Sequence, residues 1–85
     1  MPEISRFLGI VITMYYNDHS PPHFHARYGE HEVTVLIDNG AAEGPFPRRA
    51  LGLLLEWYAV HSVELSEDWE LARLRKPLNK IEPLE

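Results

Sequence analysis

The stretch HFHARYGEHEVTVLID, residues 23–38, predicts a β-hairpin and decides the fold. Its two halves, 23–28 and 31–38, are rich in β-branched and aromatic residues, which favour extended strands. Gly29 and Glu30 separate them, and a two-residue loop that begins with glycine suits a type II′ turn. We therefore expect two antiparallel strands joined by this tight turn.

The turn fixes the register of the hairpin, and the register decides where the histidines point. With a two-residue loop, Tyr28 lies opposite His31, and alternate side chains point to opposite faces. One face is then largely apolar and carries Phe24, Ala26, Tyr28, Val33, Val35, Ile37 and, at its end, His31. The other carries His23, His25, Arg27, Glu32, Thr34 and, as an exception, Leu36. A three-residue loop would mix polar and apolar groups, so the two-residue loop is favoured, with Arg27 and Glu32 as a cross-strand ion pair.

The rest of the chain supplies elements that can cover the apolar face. An uncharged, β-branched run predicts an interior strand over 8–16, and apolar residues at helical spacing predict a helix over 47–65. Ser66 followed by two acids resembles a second helix start, giving a helix over 67–76, although one bent helix fits equally well. The tail 77–85 is expected to be extended. The predicted class is α+β: a three- to four-stranded antiparallel meander with one long and one shorter helix on one face.

Composition limits the classes of protein that are possible. A chain of 85 residues predicts a single domain, 1–85, and the absence of cysteine excludes disulfides, thiolate metal sites and a cysteine nucleophile. The N-terminus lacks a basic segment followed by an apolar run, and no stretch approaches the ~20 apolar residues of a membrane span, so a soluble, cytoplasmic protein is expected. The formal charge of −5 repels phosphate backbones unless a local basic patch exists.

The segment PPHFHA, residues 21–26, indicates a metal site. In a strand, His23 and His25 project from one face about 6.6–6.8 Å apart, close enough for their rings to lean onto one cation. His19 is the expected third ligand, and Asp18 or Glu32 can supply an oxygen or orient a ring. Such a site would hold zinc or another divalent metal and would leave one coordination position open, as catalytic sites do.

Two alternatives need no metal. His23 and His25 can act as a general acid and a general base, with Arg27 as a phosphate contact, which is the set needed to cleave RNA through its own 2′-hydroxyl. The other alternative is a polar, partly exposed sheet face whose imidazoles bond to their neighbours or to a partner protein. The residues alone leave all three interpretations open.

Three segments together, MYYNDHSPPHFHARYGEHEV, PRRALGLLLEWYAVH and WELARLRKPLNKIEPL, resemble the domain of unknown function 4160 family over essentially the whole chain. The family's H-x-P-P-H-x-H signature is matched by His19, Pro21, Pro22, His23 and His25. The resemblance implies a small prokaryotic protein from a two-gene module, with a domain of unknown function 2442 protein as its cognate partner. It implies no ligand set and no reaction.

The resemblance, taken with these residues, implies a toxin–antitoxin-like component that binds a cognate small protein, with its histidine-rich sheet face either masked by the partner or acting on RNA. The first alternative is a metal-binding protein or metal-dependent hydrolase centred on His19, His23 and His25. The second is a non-catalytic interaction module.

Overall fold

Five strands form an antiparallel meander in the order β1-β2-β3-β4-β5 in the computed structural model, which describes residues 2–84. The elements are β1 Glu3–Phe7, β2 Ile10–Thr13, β3 His23–Tyr28, β4 His31–Leu36, β5 Ala42–Glu43 and α1 Arg48–Arg73. The α+β class is therefore as predicted. Over residues 2–84 the sheet has five strands, one more than the upper limit of the expected three to four, and a single helix covers it.

The β3–β4 hairpin has the predicted register, with Tyr28 opposite His31 and His23 opposite Leu36. Because alternate side chains point to opposite faces, the apolar face of the hairpin is buried, with Phe24 0% exposed. The histidines lie on the opposite face. The expected cross-strand ion pair is wrong, although Arg27 and Glu32 are register partners. Among the described residues the Glu32 carboxylate instead lies beside the ring of His25, with 3.6 Å between its Oε2 and Nδ1.

The strand predicted over 8–16 is wrong in its first part, because the chain turns at Leu8 and Gly9. Their φ angles are 49° and 85°, so both adopt the left-handed conformation that a type I′ turn requires. The turn pairs β1 with β2, and β2 lies between β1 and β3, so the expected interior position is correct. Leucine rarely adopts a positive φ, which is why the sequence gives no turn signal here.

The two predicted helices are one element, α1. Its backbone departs from helical geometry only at His61, with φ −114° and ψ 19°, and it continues through Ser66. The side chain of Asp68, which suggested a helix start, turns inward and accepts a hydrogen bond from the backbone N–H of Asn79 at 2.9 Å. The helix ends at Arg73 and not at residue 76.

The helix and the tail close the core over the apolar face of the sheet. Trp57 is fully buried and its ring lies 6.0 Å from that of Phe24. The extended tail, described as far as residue 84, buries Ile81, while the last residue of the predicted segment 77–85 lies outside the described range. Its backbone also bonds to the core, since the Trp57 indole N–H donates to the Glu82 carbonyl at 2.8 Å. In the part of the chain that the structure describes, no helix has the length and apolarity required to cross a bilayer.

Candidate metal site and its cleft

Three metal-ligand side chains converge where the loop after β2 enters β3. His23 and His25 project from the same face of β3, and Asp18 approaches them from the loop. One donor atom from each residue lies within 4.8 Å of the other two. His23 is buried at 7% exposure, while the side chains of His25 and Asp18 are 17% and 18% exposed. The cluster therefore lies at a partly desolvated position with access from one side.

The ring of His23 is oriented by hydrogen bonds at both nitrogens. Its Nδ1 lies 2.7 Å from the carbonyl oxygen of Pro21. A carbonyl can only accept, so Nδ1 carries a proton and donates it, and Nε2 faces Asp18 Oδ2 at 2.8 Å. The lone pairs of His23 Nε2 and Asp18 Oδ2 are both acceptors, so at this distance either a proton or a metal ion must lie between the two atoms. A backbone carbonyl behind the other ring nitrogen is the usual support of a metal-binding histidine.

His25 has a buried nitrogen without a partner. Its Nε2 makes no hydrogen bond, and the nearest acidic oxygen, Asp18 Oδ2, is 3.9 Å away. On the other side of the ring, Nδ1 lies 3.5 Å from the Thr34 hydroxyl and 3.6 Å from a Glu32 oxygen, both longer than normal hydrogen bonds. Burial and the neighbouring His23 charge lower the pKa of His25, against the opposing effect of the two carboxylates. The ring is therefore neutral near pH 7 and can offer a lone pair to a metal.

The Asp18 side chain is an ionised carboxylate near pH 7. Burial acts to raise its pKa, but hydrogen bonds from the His19 backbone N–H and from the His23 ring outweigh burial, so the pKa is lowered. The His19 N–H donates to Asp18 Oδ1 at 2.8 Å, which leaves Oδ2 directed at the two imidazoles. With a metal ion in place of a proton between His23 and Asp18, the site offers one anionic oxygen and two imidazole nitrogens, a donor set that suits zinc and related divalent metals.

The predicted site residues take different places around this cluster. His23 and His25 lie within it, and Asp18 stands where His19 was expected. His19 lies at the rim, with its side chain 86% exposed and its Nδ1 3.0 Å from Asp18 Oδ1. Arg27 is exposed on the same sheet face, one alternation further along β3, and does not line the cleft beside the cluster.

An open cleft of about 710 Å³ lies against the cluster. Its walls come from the loop after β2, from β3 and β4, and from the edge strand β5. The lining residues are Tyr15, Tyr16, Asn17, Asp18, His19, Pro21, His23, His25, Thr34, Leu36 and Glu43. Two histidines and one carboxylate beside such a cleft leave coordination positions free for water or substrate, which is the arrangement of catalytic metal sites.

Sequence reasoning missed the aromatic residues that hold the imidazoles. The Tyr15 ring meets that of His25 edge-on with centroids 4.6 Å apart, and the buried Trp69 ring lies 5.2 Å from that of His23. Tyr15 lies two residues after Thr13, the last residue of β2 and the register partner of His25, and this spacing was a usable signal. Trp69 gives no such signal, because its helical spacing is equally typical of a residue that contacts only the core.

No curated protein and no solved structure has a significant match to the chain. One family pattern does match, over residues 9–70, a range that includes Asp18, His23 and His25. This match covers more than half of the chain, and it agrees with the resemblance of the H-x-P-P-H-x-H segment. The chain therefore belongs to the family described as Domain of unknown function (DUF4160).

Proposed function

We propose that the chain binds one zinc-type divalent metal ion through Asp18, His23 and His25 and uses it for hydrolysis in the adjoining cleft. The observation that carries this proposal is the convergence of the three donor atoms within 4.8 Å, around a buried His25 nitrogen without a partner. Zinc binds nitrogen at about 2.0–2.1 Å and carboxylate oxygen at about 2.0–2.2 Å. Small side-chain rotations toward a shared centre therefore suffice.

A metal ion satisfies this cluster better than a proton does. A proton on His23 Nε2 would turn the contact with Asp18 into an ion pair, but it would leave His25 Nε2 buried and unpaired. An unpaired buried polar atom costs about 1–3 kcal/mol. A metal ion takes the lone pairs of both rings and one carboxylate oxygen together, and the Pro21 carbonyl keeps His23 in the tautomer that this requires.

The open side of the cluster favours a catalytic role. A bound divalent metal lowers the pKa of coordinated water and polarises ester or amide oxygens. The protein's own part is to hold the three donors, to limit access of bulk water and to accept a proton. Glu43 lies in the cleft lining outside the donor group, opposite Thr34 in the sheet register, and is our candidate for the proton acceptor.

The direct test is zinc titration of protein purified without a histidine tag, stripped with chelator and followed by calorimetry and metal analysis. We expect one zinc per chain with micromolar or tighter affinity. Asp18→Asn and His25→Ala should each lose at least 10-fold in affinity, whereas His31→Ala, at the exposed end of the hairpin, should bind as the wild type does. A protein that binds no zinc at micromolar concentration, or equal losses in all three variants, would exclude the site.

His19→Ala separates the two possible third ligands. Because the His19 ring is at the rim and the Asp18 carboxylate is between the two buried rings, we expect a smaller loss for His19→Ala than for Asp18→Asn. The reverse order would assign the third ligand to His19, as the sequence predicts.

A further inference from the structure

A second cleft adjoins the proposed metal site. It has a volume of about 410 Å³ and is lined by Tyr16, Asn17 and Arg75. Tyr16 and Asn17 also line the cleft beside the metal ligands, so the two clefts share the loop after β2 as a common wall. Arg75 is the feature that the first cleft lacks, since no lysine or arginine lines the space beside the metal ligands.

The end of α1 holds Arg75 in a fixed and unusual backbone conformation. The N–H of Arg75 bonds to the Ala72 carbonyl at 3.1 Å and that of Lys76 to the Leu71 carbonyl at 2.9 Å, which is the Schellman pattern of a helix end. Arg75 occupies the left-handed position of this motif, with φ 59°, where glycine is the usual residue. An arginine there is less favourable than glycine by about 1 kcal/mol. The backbone of Arg75 is therefore strained, and its side chain lines the second cleft.

The loop of the metal site is tied to the same helix end. Asn17 also has a positive φ, 52°, and its N–H donates to the Ala72 carbonyl at 3.1 Å, the same carbonyl that Arg75 uses. One carbonyl therefore accepts from both sides of the second cleft. Backbone hydrogen bonds thus hold the backbone of Arg75 next to the loop that carries Asp18.

The side chains of this second cleft suit an anionic oxygen group. A guanidinium offers five N–H donors, and the Asn17 amide and Tyr16 hydroxyl can donate beside it. Arg75 makes no ion pair within residues 2–84, whereas Arg73, two residues earlier, is bonded to Glu70 at 3.0 Å. Because the chain carries a formal charge of −5, an anion needs such a local cation to bind near the metal site.

We propose that the cleft accepts a small organic anion, whose phosphate or carboxylate group is bound by Arg75, Asn17 and Tyr16 while its hydrolysable bond lies beside the metal ligands. This inference names the substrate class of the proposed hydrolase and rests on that function. Each of the two clefts has a volume within the range of small-molecule sites, about 300–1,000 Å³. The anionic group, and not the scissile bond, decides which molecules are bound.

The test uses three probes of similar size: phenylphosphonate, phenylacetate and the neutral phenylacetamide. Each is titrated calorimetrically into zinc-loaded wild type, Arg75→Gln, Arg75→Gly and the matched control Arg73→Gln. We expect one of the two anions to bind and the amide not to bind, with the preferred anion identifying the phosphate or carboxylate source. Both Arg75 variants should weaken anion binding about 10-fold or more, because a charge-assisted hydrogen bond is lost. Arg73→Gln should have no effect.

Two features keep the inference separable from the metal site. Arg75→Gly suits the left-handed backbone, so loss of binding in that variant cannot come from a misfolded helix end. Zinc affinity is measured on the same samples and should be unchanged in all Arg75 and Arg73 variants. Anion binding that is absent, or equal in Arg75→Gly and wild type, overturns the inference while leaving zinc binding intact. If zinc does not bind, the same titrations on zinc-free protein decide the anion subsite by the same criterion.

Discussion

Replacing His25 by leucine should stabilise the zinc-free protein and destabilise the zinc-bound protein relative to wild type. In the absence of metal, the neutral ring brings a buried Nε2 without a partner into the sheet face, at a cost of about 1–3 kcal/mol. Leucine has a similar volume and no polar atom to desolvate. What it gives up is the edge-on contact with the Tyr15 ring at 4.6 Å, worth about 0.5–1.5 kcal/mol, and two contacts too long to be normal hydrogen bonds.

The balance for His25→Leu in chelator is a gain of about 1 kcal/mol, which raises the Tm of a domain of this size by about 4–8 °C. Zinc at 100 times its Kd should stabilise wild type by about 2.7 kcal/mol and leave the variant unchanged. Two calorimetric scans of each protein, with chelator and with zinc, therefore give opposite orders of Tm. A variant that melts lower than wild type in chelator would refute the cost assigned to His25. A zinc-induced rise of wild-type size in the variant would refute its assignment as a ligand.

Two further predictions concern groups outside the site. Burial, with the field of two neighbouring helix glutamates, raises the pKa of Asp68 against the hydrogen bond from the Asn79 N–H. The contribution of Asp68 to stability is thus present below its unfolded pKa and is lost as the pH rises through its folded pKa. Urea denaturation should therefore show Asp68→Asn gaining stability relative to wild type from about pH 3.5 to 7. A difference in stability that does not depend on pH would contradict this. Ile81→Ala should lower the free energy of unfolding by about 2–5 kcal/mol, because the side chain is 4% exposed and its N–H bonds to the Ile4 carbonyl. A loss below about 1 kcal/mol would show that the tail is not part of the core.

The sequence predicts the β3–β4 hairpin well because its determinants are local. Alternation over six residues in each strand and a glycine at the turn permit only one register that separates polar from apolar side chains. The β1–β2 hairpin could not be predicted in this way, because its turn uses Leu8 at a positive φ and the residues on both sides of the turn are apolar. A turn that lacks the usual turn residue at its first position and lies between apolar residues therefore has the sequence pattern of one continuous strand.

The candidate site was predictable only in its local half. The spacing of His23 and His25 follows from the period of a strand, but choosing Asp18 over His19 depends on the path of the loop after β2. Trp69 and Arg75 come from the far end of α1, nearly fifty residues along the chain, and no local pattern connects them with the histidines. The expected pairing with a cognate small protein and the expected action on RNA stay predictions, since both depend on contacts outside this chain.

Some unfavourable features of the described chain lie beside the proposed metal site, while others, the positive φ of Leu8 and the unpaired buried oxygens of Ser5 and Asp68, lie outside it. Around the cluster, His25 has a buried nitrogen without a partner, while Asn17 and Arg75 both have positive φ angles. Elsewhere, the Phe24 side of the same strand is packed against a fully buried Trp57, and this core can offset the unfavourable terms. A polar site on one face of β3 is thus supported by apolar packing on the other. Because an unsatisfied polar group persists only where the surrounding structure enforces it, the unpaired His25 nitrogen beside an open cleft is physical grounds for a ligand there.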